Sequence, residues 1–140
     1  GMKNMYGAIN NPNKYHAPNC DPFVAHVSKL EPIRRKNRLT IIDAVKVQYN
    51  AGPGYDSRYI TYYNGLIMGE DPVATDRVGL EILEHYRKAN GLPSLEKAGR
   101  PVKYLKSAEI AGLGIADINR IYIDVILVSK DGRAAKGDLF

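Results

Sequence analysis

Three side chains of this 140-residue sequence are of types that bind divalent cations: the imidazole of His16 and the carboxylates of Asp43 and Asp76. Oxygen donors suit a hard divalent ion, and the imidazole nitrogen shifts the preference towards a transition metal. Asp43 and Asp76 are also the candidate catalytic residues, because burial can raise a carboxylate's pKa and make it a general base. Asp76 lies beside Leu80 and Leu83 at helical spacing, where an ionised group must be paired or hydrogen-bonded. Its other reading is structural, an acceptor for backbone amides of a neighbouring loop. Asp43 follows the apolar run 39–42. In open α/β sheets ligands sit beyond the carboxyl ends of strands, so an acid there is a natural site residue. The competing reading is an aspartate that caps the next turn.

Gly52, Pro53 and Gly54 form a loop whose backbone can approach a ligand closely. With Asp71 they make up the expected ligand-binding set. No Gly-Lys-Ser/Thr follows, so the loop is not a phosphate-binding P-loop. A second metal-like spacing runs through His16, Cys20, Asp21 and His26, but it lacks the repeated ligand pairs of standard zinc sites. Cys20 as a nucleophile, with His16 or His26 as base, needs a geometry that spacing alone does not fix.

The elements that must position these groups centre on residues 65–91. Asp71 is suited to cap a helix, Pro72 to its first position, and Gly91 followed by Pro93 to its end. Ala74, Val78, Ile82, Tyr86 and Ala89 share one face of that helix, widened by Gly79 and Leu83. The polar stripe, Arg77, Glu81, Glu84 and Lys88, is narrow, which predicts a mostly buried helix with a Glu84–Lys88 pair on its exposed side. Residues 3–22 are rich in Asn, Pro and Gly and read as loop. Asp21-Pro22 repeats the helix-start pattern, and the helix it opens ends or kinks at Glu31-Pro32. A strand begins at 39–42, another covers 64–68, and a short helix covers 103–111. Residues 120–129 alternate and then run apolar, the pattern of a buried strand. Residues 130–140 read as a polar, frayed tail.

This order predicts a single α/β domain over residues 1–140, with an irregular N-terminal segment 1–20. Its expected architecture is a three-layer-like sandwich of a small, largely parallel or mixed sheet with flanking helices. Three strands are few for such a sheet, so more chain or another copy would complete it. A net charge of +5 permits an anionic partner. The one dense basic run, Arg34, Arg35, Lys36 and Arg38, has no interleaved aromatics and reads as a solvated loop, which argues against nucleic acid. One cysteine excludes an intrachain disulfide or an iron–sulfur cluster held by this chain alone. No apolar run is long enough to cross a membrane, so a soluble chain is expected. No signal peptide is visible. Gly1 before Met2 looks like a cloning remnant, which leaves export open if a signal was removed.

Several of these pieces together resemble a known family. They are 3–7 (KNMYG), Tyr15-His16, 39–44 (LTIIDA), Gly52-Pro53, 71–74 (DPVA) with Asp76, and 112–114 (GLG). The set is similar to the domain of unknown function 362, over nearly the whole chain and in the same motif order. The resemblance implies extra chain before this region in fuller members, so this sequence would be the C-terminal part of a larger domain. It implies ferredoxin-type iron–sulfur segments joined to some members, and export of some. It also makes His16, Asp43, Gly52, Asp71 and Asp76 the family's candidate site.

Two functional expectations follow. The first is a ligand- or metal-binding domain, associated through its family with iron–sulfur redox proteins, with a divalent metal as the expected cofactor. The second is a non-catalytic docking module that completes a homo-oligomer, a missing N-terminal half or a redox partner. Its mark would be an exposed apolar surface.

Overall fold

A computed structural model describes all 140 residues. The central helix forms as the capping residues require. It is α3, Pro72–Ala89, with the Asp71 carboxylate accepting from the Val73 and Ala74 amides. At its other end Gly91 takes φ +70°. The Leu92 amide donates to the Arg87 carbonyl and the Gly91 amide to the Lys88 carbonyl, which closes a Schellman cap. The exposed-side ion pair is Arg77–Glu81. Glu84, expected to pair with Lys88, instead accepts from the Leu95 amide at 2.8 Å and ties down the chain after the helix.

Two layers pack on α3. One is an antiparallel pair, β1 (Thr40–Gln48) and β2 (Ile60–Gly69). Between the Ala44–Gly65 and Lys46–Tyr62 pairs, two residues of β2 oppose one of β1. This is a bulge, and Asn64 sits in it at φ +57°. The inner face of the pair meets α3 at Gly79, where a side chain would touch Ile42 and Ile67. Ala44, Val78 and Ile82 are buried in this layer.

The other layer is helical. α1 (Phe23–Lys29), α2 (Glu31–Lys36) and α4 (Tyr104–Ile110) gather with the N-terminal segment. Their shared core holds Met2, Tyr6, Cys20, Val24, Ala25, Val27, Val73, Leu105 and Ala108. α2 carries Arg34, Arg35 and Lys36 on an exposed helical turn rather than a loop.

The α/β class holds, and the connectivity corrects three expectations. Both strand pairs are antiparallel, so the parallel component of the expected sheet is absent. The N-terminal segment is ordered as two 3-10 turns, Met2–Ala8 and Pro12–Tyr15, because Met2 and Tyr6 supply buried apolar groups that a loop reading overlooks. The run 120–129 does not form a buried strand. Only Ile126–Val128 pairs, as β3, with β4 (Ala134–Lys136) drawn from the expected tail, and both strands are exposed. The segment alternates, but its only strand partner is β4, and it does not join the open β1–β2 sheet. No helix is long and apolar enough to cross a membrane.

Gly79 gives a direct test of the helix–sheet contact. A Cβ there would lie 3.5 Å from Ile42 Cδ1 and 3.6 Å from Ile67 Cδ1, which is ordinary contact. Gly79→Ala is therefore expected to raise stability by about 0.5–1 kcal/mol through helix propensity, measured by urea denaturation. A loss instead would mean that helix and sheet approach more closely than described.

Candidate functional site

The expected ligand-binding residues divide between two ends of the hairpin. β1 and β2 are antiparallel, so the loop 49–59 joins them at one end, while Asp71 follows β2 at the other. α3 returns along the sheet for about 27 Å, at 1.5 Å per residue. Gly52, Pro53 and Gly54 thus lie at its C-terminal end, and Asp71 and Asp76 at its N-terminal end. The structure does not bring the glycine loop and Asp71 into one binding set.

The loop's polar groups are also engaged. Gln48 Nε2 donates to the Asn50 carbonyl at 3.0 Å and to the Gly54 carbonyl at 2.7 Å. Arg100 donates to the Gly52 carbonyl at 2.8 Å.

Asp43 does not end a strand. β1 continues five residues beyond it, to Gln48, because the β-branched run extends through Val45 and Val47. Asp43 sits exposed in mid-strand, and its Oδ1 accepts from the Val45 amide at 2.8 Å, inside the bulge. His16 is exposed, with Nδ1 3.0 Å from the Pro12 carbonyl and its ring edge-on to Tyr6. His26 is exposed against Phe23, and the Asp21 carboxylate accepts from Ser107 at 2.6 Å. Cys20 is buried. No three His, Cys, Asp or Glu side chains gather into a ligand set, so His16, Asp43 and Asp76 remain apart.

Asp71 and Asp76 both stand in the first two turns of α3, on different sides of it, and each fastens a distant segment to the start of the helix. Besides capping the helix, Asp71 accepts from the Ile115 amide at 2.8 Å. Gly114 permits this approach, because a Cβ there would overlap the Asp71 carboxylate. Asp76 is buried. It accepts from the Met2 amide at 3.0 and 3.2 Å, from Tyr104 Oη at 3.2 Å, and stands 2.8 Å from the Gly1 amino nitrogen. It is the backbone-binding acid that one reading of the sequence anticipates, with the N-terminal segment as the bound loop.

The family model for the domain of unknown function DUF362 matches residues 1–81. The chain belongs to this family. The DUF362 match stops within α3, so the motif 112–114 lies outside it. Within it lie His16, Asp43, Gly52, Asp71 and Asp76. No curated protein and no solved structure matches the chain.

Tyr104 and Ile115 escape a reading from spacing, because their partners are 28 and 44 residues away. Burial raises the Tyr104 phenol well above its ordinary value, and the Asp76 charge raises it further. Burial pushes the Tyr6 phenol up to about 12, helped by Cys20.

Both folded-state values lie above the unfolded phenol at about 10. The stability they lend is complete below pH 10 and drains away as pH climbs beyond it, with Tyr6's share gone by about pH 12. Urea midpoints taken from pH 8 upward are expected to fall above pH 10, and less steeply in Tyr104→Phe. A flat profile would contradict the buried phenols.

Proposed function

We propose that this DUF362 chain is a non-catalytic assembly module, in which a second copy covers the outer face of the β1–β2 pair with its β3–β4 hairpin. The observation that carries the reading is the outward apolar surface of two unfinished sheets. Leu39, Ile41, Val45, Tyr62, Leu66 and Met68 are 43–63 % exposed, and Ile126, Leu127 and Val128 are 57–71 % exposed. A two-stranded sheet is marginal by itself, and an open apolar edge invites pairing. The chain carries both surfaces and covers neither, so a second copy supplies what each lacks.

Magnitudes favour a reciprocal arrangement. Covering one half-exposed apolar side chain contributes about 1 kcal/mol. Nine such side chains fall within the roughly 4–15 kcal/mol that association costs. A twofold axis uses both surfaces twice and exceeds that cost. Catalysis or metal binding by His16, Asp43 and Asp76 has less support, since Asp76 is committed to the N-terminal segment and the other two stand elsewhere.

Sedimentation velocity on the 140-residue chain tests this reading. The expected species has twice the 15.5 kDa chain mass. Leu66→Glu on the sheet and Leu127→Glu on the hairpin should each return it to monomer with its circular dichroism unchanged. A monomer at high micromolar concentration, or a dimer that neither change disturbs, would overturn the proposal.

A further inference from the structure

We propose that a cavity at the N-terminal end of α3 binds a small zwitterion, an α-amino acid with an apolar side chain. The cavity is about 190 Å³ and lies between the N-terminal segment, α1–α2, the start of β1 and the turn into α3. That is the liquid volume of roughly six waters, the scale of a small amino acid.

Its lining is unusual for what it leaves unused. Ser28, Arg34, Asn37, Thr40 and Glu70 all border it. Ser28 is buried, and its Oγ has no hydrogen-bond partner. The side chains of Arg34, Asn37, Thr40 and Glu70 make no hydrogen bond or ion pair elsewhere in the chain, although Arg35 beside Arg34 does, with Glu31. A buried hydroxyl is ordinarily paired, so the unpartnered Ser28 Oγ points to a ligand that pairs it, with the exposed Arg34 and Glu70 and the half-buried Asn37 free to hold that ligand's charged ends.

The types of these groups select the ligand. Arg34 offers only donors, in a planar fork that matches a carboxylate. Glu70 offers a charged acceptor, which suits an ammonium. A simple anion would meet Glu70 unfavourably, and a simple cation would meet Arg34 in the same way. A molecule carrying both charges satisfies both residues. Between them, Asn37 and the Ser28 and Thr40 hydroxyls can donate or accept. The apolar remainder of the lining includes Met2, Met5, Ile33 and Leu113, and the two methionines adapt readily to different aliphatic shapes. This site is distinct from the outer sheet face and holds whether or not that face pairs with a second copy.

The test is titration of the isotopically labelled 140-residue chain with L-leucine, L-valine and L-methionine, followed by amide NMR. Saturable shifts are expected at residues 28, 37, 40, 70 and 112. Leucinamide, without the carboxylate, and 4-methylpentanoate, without the ammonium, should each bind at least roughly tenfold more weakly, as should Arg34→Gln and Glu70→Gln. Both substituted residues are exposed, and dispersed spectra will show that the variants fold. The proposal is overturned if no amino acid shifts these amides at millimolar concentration. It is equally overturned if inorganic phosphate binds as well as leucine, or if neither variant weakens binding.

Discussion

Asp76→Ala is expected to destabilise the chain by about 3–5 kcal/mol and to lower its melting temperature by about 10–15 °C. The carboxylate is buried and accepts from the Met2 amide, Tyr104 Oη and the Gly1 amino group. Its removal leaves the Met2 N–H and the Tyr104 hydroxyl inside without an acceptor, and each such orphan costs about 1–3 kcal/mol. The N-terminal segment should suffer most, because Met2 and Tyr6 reach the core only while this anchor holds them there. Asp76→Asn keeps one acceptor oxygen and should fall between alanine and the native residue. Tyr104→Phe removes one bond and should cost about 1 kcal/mol. Urea midpoints measure the series, and amide exchange at residues 2–8 locates the effect. An unchanged midpoint in Asp76→Ala would sink the structural role assigned to this residue.

What could be read from the sequence was local. The α3 boundaries follow from Asp71, Pro72 and Gly91, whose conformational preferences act within a few residues and need no tertiary partner. The start of β1 followed from the β-rich run 39–42, though the strand continued past Asp43 because Val45 and Val47 extend the pattern, and β2 begins at Ile60, ahead of the expected 64–68. The pairing direction was not legible. Strands separated by the eleven-residue connection 49–59 can close as an antiparallel hairpin, and only the register shows that they do. The order of the N-terminal segment was hidden for another reason. Its acceptor, Asp76, lies 74 residues away, so nothing local in an Asn- and Pro-rich stretch announces it. The flaw in the expected site was likewise long-range: the glycine loop and Asp71 are near in sequence but are held apart by the length of α3.

Arg87 is the instructive omission. It stands eleven residues after Asp76, three helical turns along the same side, and shares that side with Val73, Leu80 and Leu83. Arg87 is thus as much a charge on an apolar surface as Asp76 is. Being near the C-terminal end of α3, where a cation is favoured, it passes for an ordinary last-turn basic residue.

The structure places it almost wholly inside, 2 % exposed, with no carboxylate partner. Its Nη1 donates to the Tyr49 carbonyl at 2.8 Å and to Asn50 Oδ1 at 3.2 Å, while Nε donates to the Pro93 carbonyl at 3.0 Å. Arg87 therefore ties the end of β1 and the segment after α3 to one point, as Asp76 does at the opposite end of the helix. Arg87→Ala is expected to cost about 3 kcal/mol or more, since two carbonyls and an amide oxygen lose charge-assisted donors in a closed space. Arg87→Lys keeps the charge but replaces the planar fork with a point donor that cannot span Tyr49 and Pro93, so it should recover only part of the loss. Urea midpoints at constant m-value measure both. Faster amide exchange should be confined to residues 49–59 and 91–95, sparing the N-terminal segment. If Arg87→Lys matches the native chain, the fork geometry is irrelevant and a buried cation alone accounts for this end of the fold.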